Sequence, residues 1–201
     1  MRTTVSGVAT TIVLVRHGET DWNRDNRFQG HADPPLNETG RAQARVLASE
    51  LGSQRFAAAY TSPLRRAAET AAILAGGLHL EPRPDESLKE VDVGSWSGLT
   101  RTDVEERFPQ GFARWLEYGH GWDDGETYDE LGERVVSGLV RIGRQHDGEE
   151  VLAVTHGGPI RSALAAADGV PFDEARRSIH VIGNCAVVRL AVRDGKLERV
   201  D

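Results

Sequence analysis

The sequence predicts an α/β protein: a single domain of three layers, with helices on both faces of a mostly parallel central sheet. Short apolar runs rich in β-branched residues, at residues 12–15 and 151–155, are typical of strands buried on both faces. Segments with helical apolar spacing alternate with such runs along the chain. The 201 residues suit one domain with a sizeable core. Residues 1–201 are therefore treated as one domain, with residues 1–10 expected to be flexible.

The first strand is predicted at residues 12–15, and a polar loop follows over residues 17–36. Asn37 or Thr39 can cap the next helix, and Gly52 suits its end. The apolar positions that recur at helical spacing in this segment are Ala42, Val46, Leu47 and Leu51.

A second strand is predicted at residues 57–60 and a third at residues 78–80. Between them, Ser62 can cap a helix whose first residue is Pro63, where proline is tolerated. The glycine pair at residues 76–77 suits the end of this helix. Its apolar face consists of Ala67, Ala68, Ala71 and Leu74.

In the following part, residues 100–118 are predicted to be helical with interruptions at Pro109 and Gly111, within a lid-like helical insertion at residues 99–127. The clearest amphipathic helix begins at Thr127 and presents apolar residues at helical spacing. The elements predicted beyond it are a strand at 151–155, a helix at 160–167, a strand at 184–192, and a hairpin turn at 194–195 before a last strand at 196–200.

Composition narrows the class of protein. The formal net charge of −7 argues against a nucleic-acid partner, because the chain as a whole repels a polyanion. No apolar run approaches a membrane span or a signal peptide, so no membrane partner and a cytoplasmic location are expected. Cys185 is the only cysteine and lies among apolar residues, which favours an inert buried thiol. A homodimer is a candidate assembly.

Two predicted strands end in the same way, with a histidine followed by a glycine. His17 follows the first strand and His156 follows the strand at residues 151–155. Because ligands of open α/β sheets bind outside the carboxyl ends of the strands, both imidazoles are expected in one crevice if these strands are neighbours. A histidine there is a nucleophile, a base or a metal ligand, or it merely caps the strand. The other histidines lack this context and are interpreted as surface or loop residues: His31, His79, His120, His146 and His180.

Arginines and one acidic residue accompany this pair. Arg16 directly precedes His17, which suggests an anionic substrate. Arg65 and Arg66 fall in the first turn of a predicted helix, where a guanidinium and the helix N-terminus can together bind phosphate. We expect Arg66 to face the substrate and Arg65 to be solvated. Glu90, in a loop punctuated by glycines, is either a proton donor or a member of an ordinary salt bridge.

These segments together resemble the phosphoglycerate-mutase-like branch of the histidine phosphatase superfamily, in particular its broad-specificity and alpha-ribazole-phosphatase-type members. The matching blocks occur in family order between residues 12 and 160. They are Arg16-His17-Gly18-Glu19-Thr20, Trp22-Asn23, Gln29-Gly30, Ser62-Pro63-Leu64 with Arg66-Ala67, Leu88 with Glu90, Gly94 with Trp96 and Gly98, and Thr155-His156-Gly157-Gly158. One short motif is weak, but all blocks in order are specific. The resemblance implies a phosphoglycerate-mutase-like fold.

The resemblance also implies roles for individual residues. His17 would take up the phosphoryl group, and Glu90 would protonate the leaving alkoxide. The charged pocket around the phosphate would consist of Arg16, Arg66 and His156. The further substrate-binding positions would be Asn23, Gln29, Gly30 and Gly157.

Physical chemistry agrees with these implied roles. Phosphoryl transfer mainly requires positioning and neutralisation of charge, which two guanidiniums and the imidazolium of His156 would supply without a metal or cofactor. The same cations are expected to lower the pKa of His17 and keep it neutral, with its second ring nitrogen donating to a backbone carbonyl. Metal binding by the two histidines is the alternative, but the neighbouring arginines repel a cation, so no metal is predicted.

The predicted function is hydrolysis of a small-molecule phosphomonoester through a phosphohistidine. Phosphoglycerate mutase is the alternative: mutase relatives are longer between the acid and the second histidine and carry a C-terminal tail that closes the site. The compact span here favours hydrolysis, by analogy at the family level. A non-catalytic domain that binds phosphorylated ligands is the third hypothesis, against which the presence of both His17 and Glu90 counts. Phe112 and Trp115 are expected to pack the 99–127 segment onto the domain.

Overall fold

Six strands form one sheet at the centre of the computed structural model, which describes residues 8–179 and 182–200. Across the sheet the order is β3-β2-β4-β1-β5-β6, in which β3, β2, β4 and β1 run parallel while β5 and β6 are antiparallel to their neighbours. The sheet is therefore mostly parallel, as predicted. The strands are β1 (Thr10–Arg16), β2 (Ala58–Thr61), β3 (Pro82–Pro84), β4 (Glu150–Thr155), β5 (Val187–Arg193) and β6 (Lys196–Arg199).

Helices pack on both faces of this sheet. Successive residues of a strand point to opposite faces, and those of β1 separate into two core clusters accordingly. Ile12 and Leu14 pack in one cluster, with helices α6 and α7, whereas Val13 and Val15 pack in the other, with helices α2 and α3. The described residues thus form the predicted three layers. The α-helices are α1 (Asp21–Arg24), α2 (Glu38–Leu51), α3 (Arg65–Leu78), α4 (Arg101–Arg107), α5 (Pro109–Leu116), α6 (Tyr128–Gln145), α7 (Gly157–Asp168) and α8 (Phe172–Ser178).

The feature of the fold that matters most for function is the pairing of β1 with β4. The two strands are parallel neighbours, and Arg16 lies opposite Thr155 in the register. One residue further on, the backbone N–H of His17 donates to the carbonyl of Thr155 over 3.0 Å. The two strand-histidine-glycine segments therefore end side by side, which is the arrangement on which the sequence argument depended.

Helix α2 buries two of the four apolar positions that recur at helical spacing in its sequence. Leu47 and Leu51 are buried together with Ala44, whereas Ala42 is exposed and Val46 has 61% of its surface exposed. Ala42 and Val46 therefore do not contribute to the core. Both residues are apolar, but they lie on the far side of the helix from the stripe that faces the sheet.

Helix α3 is shifted towards the C-terminus. It begins at Arg65, whose N–H donates to the Asp33 carboxylate over 2.5 Å, so the cap comes from a distant loop rather than from Ser62 as predicted. The helix also continues through residues 76–77 and ends with His79 in a left-handed conformation. Consequently the third strand lies at Pro82–Pro84, where it pairs with β2, and the prediction of a strand at 78–80 was wrong.

The C-terminal part also differs in its boundaries. β5 begins at Val187 rather than at residue 184, because Cys185 adopts a left-handed φ of 56° in the preceding turn. Helix α7 begins at Gly157 rather than at residue 160, and helix α8 was not predicted. The hairpin turn at residues 194–195 is confirmed, since both residues have the positive φ values that a two-residue turn requires.

The 99–127 segment contains two short helices, α4 and α5, which meet at Phe108. Pro109 occupies the first turn of α5, as its ring requires, whereas Gly111 lies inside that helix and permits close contact with the backbone of Gly121. Of the predicted flexible terminus, residues 1–7 lie outside the described residues, and Thr10 begins β1. Among the helices that the structure describes, none combines the length and apolar character needed to cross a membrane.

Candidate active site

His17 and His156 meet at the carboxyl edge of the sheet. Their ring centroids are 5.1 Å apart, and the residues are 2% and 0% exposed. Each follows the last residue of a buried strand, so the sheet itself fixes their separation. The prediction that both imidazoles share one crevice is confirmed by this placement.

The ring of His17 is held in a defined tautomer. Its Nδ1 lies 2.7 Å from the carbonyl oxygen of Gly18, and because a carbonyl can only accept, Nδ1 carries the proton. The lone pair of the neutral ring is therefore on Nε2. Burial lowers the pKa of His17 well below its usual value, and the guanidiniums of Arg66 and Arg16 lower it further. In this state the ring is neutral, and Nε2 is the nitrogen with a lone pair available to an electrophile.

His156 is buried equally deeply and is bound differently. Its Nε2 lies 2.8 Å from the hydroxyl of Ser62, and its buried Nδ1 has no hydrogen-bond partner within the described residues. Burial lowers the pKa of His156 well below the usual value, with further lowering by Arg66 and His17. The neutral ring is thus favoured in this pocket, where the sequence predicted an imidazolium. The main cause is desolvation of the ring, to which the guanidinium of Arg66 adds.

Arg66 projects from the first turn of α3 into the pocket and is fully buried. Its two terminal nitrogens donate to the carbonyls of Ala32 and Gly30 over 2.7 and 2.9 Å, while Nε has no partner within the described residues. Burial lowers the pKa of Arg66 to about 10. Arg65 is exposed, as expected for the solvated member of the pair.

Arg16, the last residue of β1, is the second cation of the pocket. Its Nη1 donates to the carbonyl of Ile182, and its buried Nε has no partner within residues 8–179 and 182–200. Burial lowers the pKa of Arg16, and the Glu90 carboxylate partly opposes this effect. The fully buried Arg66 and the partly buried Arg16, each with a buried Nε–H that has no partner among the described residues, lie beside a neutral imidazole and form a pocket suited to a tetrahedral anion.

Glu90 completes this constellation from a loop rather than from a strand. Its carboxylate accepts the backbone N–H of Gly158, at the start of α7, over 3.1 Å, and that of Val91 over 2.9 Å. A side chain at Gly158 would collide with this carboxylate, which explains the glycine there. The carboxyl group of Glu90 therefore faces the same cleft as His17, with which it lines a cavity of about 220 Å³.

The remaining predicted residues lie around this cleft. Asn23 forms a capping box with Thr20, and the side chain of Asn184 donates to the Asn23 side-chain oxygen over 3.4 Å. Gln29 and Gly30 line the cleft; Gly30 has a φ of 50°, and its carbonyl accepts from Arg66. Gly157 is the first residue of α7 and lies next to Arg16. The structure thus brings all nine predicted positions to one edge of the sheet.

A wider opening adjoins this cleft, and we call it the outer cleft. It has a volume of about 380 Å³ and shares Arg16, Asn23, Arg27, Phe28 and Trp115 with the inner one. Its other lining residues are Trp22, Asn26, Arg101, Gly183 and Asn184. No acidic side chain of the described residues lines it. The outer cleft is therefore cationic, although the chain as a whole is acidic.

Several residues of the site region escaped the sequence reasoning. His31, interpreted as a residue without context, has its Nε2 2.8 Å from the carbonyl of Glu90. His146 lies in the loop after α6, as predicted, next to the start of β1 and away from the site, and its Nε2 is 3.0 Å from the hydroxyl of Tyr60. Trp115 does pack against Phe112, but it also lines both clefts. None of these contacts leaves a local signal, since each joins segments that are distant in sequence. His180 lies outside the described residues.

Two other features bear on the chemistry of this region. Burial raises the pKa of the Cys185 thiol to about 11, so the thiolate is disfavoured, in keeping with the inert thiol inferred from the sequence. Within the described part of the chain, no group of three or more histidine, cysteine, aspartate or glutamate side chains is arranged to hold a metal ion.

Comparison with known proteins agrees with this geometry. The model of the histidine phosphatase superfamily, branch 1, matches residues 12–200. Phosphoserine phosphatase 1 of Hydrogenobacter thermophilus is 37% identical over 165 residues, which are 81% of this chain and 78% of the relative. Phosphoglycerate mutase-like protein 4 of Arabidopsis thaliana is 40% identical over 161 residues, 78% of this chain and 70% of the relative. The solved structure of Bacillus stearothermophilus YhfR superposes with a TM-score of 0.89 at 35% identity and covers 96% of both chains.

Proposed function

Because the chain belongs to branch 1 of the histidine phosphatase superfamily, we propose that it hydrolyses a small-molecule phosphomonoester through a phosphohistidine on Nε2 of His17. The observation that carries the proposal is the state of the His17 ring. The ring is neutral, Nδ1 is bonded to the Gly18 carbonyl, and Nε2 carries the lone pair near the guanidiniums of Arg66 and Arg16. Such a nitrogen is an activated nucleophile for a phosphate ester.

In the first half-reaction, the lone pair of His17 Nε2 forms a bond to phosphorus while the bond from phosphorus to the ester oxygen breaks. Protonated Glu90 donates its proton to the departing oxygen, so the alcohol leaves as a neutral molecule. The products are the alcohol, phospho-His17 and an ionised Glu90. Glu90 is suited to this step because backbone N–H groups of Val91 and Gly158 orient its carboxyl group in the cleft.

In the second half-reaction, water attacks the phosphorus of phospho-His17. The Glu90 carboxylate takes a proton from this water, the new P–O bond forms, and the P–N bond breaks with its electron pair returning to Nε2. Inorganic phosphate leaves, and both residues regain their starting protonation states. Each half-reaction therefore uses the same acid–base group in opposite directions.

The cations of the pocket act on the transferring group. The transition state of phosphoryl transfer spreads negative charge over three equatorial oxygens. Arg16 and Arg66 face this charge with buried Nε–H groups that have no partner among the residues the structure describes. Their fixed positions stabilise the developing charge without reorganisation. His156 adds a neutral ring whose Nδ1 is available to the same group. This set needs no metal, and its positive charge disfavours a metal cation.

For the substrate, we propose a small phosphomonoester with a carboxylate near the phosphate. A relative acts, by its name, on phosphoserine, which has such a carboxylate. The outer cleft supports this choice through Arg27 and Arg101, which line it together without an acidic neighbour among its described lining residues. Arginine matches the planar geometry of a carboxylate.

The second candidate is a mutase, in which the phosphoryl group on His17 returns to a bound product instead of passing to water. The mutase-like relative, at 40% identity, is the observation that favours it. Both reactions share the phosphohistidine, so they differ only in the fate of that intermediate.

The proposed function is tested by trapping the intermediate. We expect a radiolabelled phosphomonoester to transfer its label to the wild-type chain, and the label to survive base but not acid. His17→Ala should carry no label, and its kcat/KM should fall by about 10⁴-fold or more, as when a nucleophile is removed. His79→Asn is the matched control, because His79 is exposed and asparagine tolerates its left-handed conformation.

Phosphoglycerate mutase activity is measured on the same preparation. Release of inorganic phosphate much faster than phosphoryl exchange between phosphoglycerates would support the phosphatase. Exchange that matches hydrolysis would instead establish the mutase. Absence of both label and turnover across a panel of phosphomonoesters would leave a binding domain, and the proposal would then be wrong.

A further inference from the structure

Glu90 lies in a loop that is anchored along its whole length, and we call residues 86–92 the acid loop. The loop begins with a turn of 3-10 helix at Glu86–Leu88 and packs on α6, where Gly138 leaves room for Ser87. From the sheet, the hydroxyl of Thr155 donates to the Leu88 carbonyl over 2.6 Å. These contacts hold the start of the loop against the strand that carries His156.

The most extensive contact with the acid loop comes from Arg134, on α6. Its guanidinium donates to the carbonyls of Ser87, Lys89 and Glu86 over 3.0, 3.1 and 3.3 Å through Nη1, and to that of Glu90 over 3.3 Å through Nη2. One side chain thus donates to four backbone carbonyls of the acid loop, two of which also bond to the N–H of Lys89 and the ring of His31. Carbonyls of a tight loop that point at one centre repel each other, and a cation at that centre offsets the repulsion.

Arg134 is itself held in a fixed orientation. Its Nε and Nη2 donate to the two carboxylate oxygens of Glu126, each over 2.7 Å, and both side chains are mostly buried, with exposures of 25% and 15%. The backbone N–H of Glu126 in turn donates to the carbonyl of Asp92 over 2.9 Å. Glu126 and Arg134 therefore bond to the acid loop on both sides of Glu90. Their own contact is a bidentate guanidinium–carboxylate pair, which fixes the orientation of the arginine.

We propose that Arg134, oriented by Glu126, is a positioning residue that sets the distance between the carboxyl group of Glu90 and the ester oxygen on the phosphate. The proposal rests on the proposed function of Glu90 as proton donor. Arg134 does not touch the reacting atoms. It donates to the carbonyl of Glu90 itself and to those of Glu86, Ser87 and Lys89. Proton transfer depends steeply on this distance, and a displacement of about 1 Å lowers a rate by about 100-fold.

The test compares two substrates that differ in their need for an acid. An alkyl phosphate must receive a proton as its alkoxide leaves, whereas p-nitrophenyl phosphate releases a stable anion without one. In Arg134→Gln, we expect kcat/KM for the alkyl phosphate to fall about 10- to 100-fold and kcat/KM for p-nitrophenyl phosphate to fall less than about threefold. Because kcat/KM covers the steps up to phosphoryl transfer, it isolates the half-reaction in which Glu90 is an acid.

Arg141→Gln is the matched control on the same helix. The Arg141 guanidinium donates to the carboxylate of Asp85, which precedes the acid loop, rather than to carbonyls of the loop. Both rates should therefore stay within about twofold of wild type. Glu126→Gln should repeat the selective loss in weaker form, because it frees Arg134 without removing it. Thermal unfolding of each variant measures whether the fold is retained.

A double variant provides the sharpest comparison. In the Glu90→Gln background there is no acid to position, so adding Arg134→Gln should lower the alkyl phosphate rate by less than about twofold. An equal loss on both substrates, or a full further loss in the Glu90→Gln background, would overturn the positioning role and leave Arg134 as a merely structural residue. A wild-type chain that hydrolyses neither substrate would instead contradict the proposed function.

Discussion

The proposed phosphate pocket, formed by Arg16, His17, Arg66 and His156, adjoins the outer cleft, but different kinds of element hold the two regions. The pocket draws His17, His156 and Arg16 from the ends of two paired strands, so its geometry is a property of the sheet. The outer cleft joins Arg27 and Arg101 from separate loops and helices around the shared Trp115. For the proposed function, the sheet therefore sets the geometry of the reacting groups, whereas the remainder of the substrate would contact segments that can vary without disturbing the sheet.

The two regions also differ in electrostatic strain. In the pocket, burial lowers the pKa of both histidines and of Arg16 and Arg66. The Nε atoms of the two arginines have no partner within the described residues. In the outer cleft, the Arg101 guanidinium lies 5.2 Å from the centre of the Trp115 ring and is open to solvent. Keeping these groups desolvated costs stability, whereas the exposed Arg101 of the outer cleft carries no such cost.

Among the substitutions that compare the two regions, the largest effect is expected from Arg66→Met, which removes the buried cation of the pocket. We expect kcat/KM for p-nitrophenyl phosphate to fall by about 10³-fold, as when a preorganised donor to a phosphoryl group is lost. The free energy of unfolding should stay within about 1 kcal/mol of wild type, because relief of desolvation offsets the two lost hydrogen bonds. Activity assays and urea unfolding measure the two quantities.

The matched control is Arg65→Met, at the neighbouring exposed position, which should change neither quantity by more than the scatter of surface substitutions. A loss of several kcal/mol of stability in Arg66→Met, together with the loss of activity, would show that the buried Arg66 stabilises the fold. The inferred difference in electrostatic strain between the pocket and the outer cleft would then be wrong.

The pH dependence of stability tests the same contrast. His17 and His156 have folded-state pKa values well below their unfolded value of about 6.5, so both are neutral in the folded state while the unfolded chain binds protons. Well above pH 6.5, both histidines are neutral in the folded and the unfolded state, so their titration does not affect the free energy of unfolding there. As the pH falls below this value, the free energy of unfolding should drop by about 1.4 kcal/mol per pH unit for each histidine.

Urea unfolding between about pH 5 and pH 6.5 measures this slope, above the range in which carboxylates titrate. His156→Gln should remove about half of it, because one of the two depressed titrations is lost, while His79→Asn should leave it unchanged. A slope that is the same in His156→Gln as in wild type would mean that the pocket is not the source of acid sensitivity.

The same division explains what the sequence could predict. His17 and His156 were found because buried strands have a clear apolar pattern, and parallel strands bring their ends to one edge. Arg66 was found from its position in the first turn of a predicted helix, whereas the role of Glu90 stayed open until the family blocks were matched. Strand and helix existence followed from periodicity, but the start of α3 did not, because Asp33 from a distant loop supplies its cap.

The missed residues share one property: their partners are far away in the chain. Arg134 binds carbonyls more than 40 residues away, and His31 binds the carbonyl of Glu90, 59 residues away. No local pattern records such contacts, because they depend on how α6 and the loops pack after the sheet has formed. The outer cleft belongs to this class in part. Arg16 and Asn23 in its lining were predicted, whereas Arg27 and Arg101 are brought together by backbone pairing between residues 27–28 and 98–100.

The smallest effect is expected from Arg101→Gln, in the outer cleft. If this arginine faces the substrate carboxylate, kcat/KM for phosphoserine should fall about tenfold relative to phosphoethanolamine, which lacks only the carboxylate. The rate with p-nitrophenyl phosphate should not change, because the phosphate pocket is untouched. Arg107→Gln, at the exposed end of the same helix, removes an equal charge away from the cleft and should leave the ratio as it is. Equal losses on both substrates would show that the two regions are not separable, since a change in the outer cleft would then act on the chemistry itself.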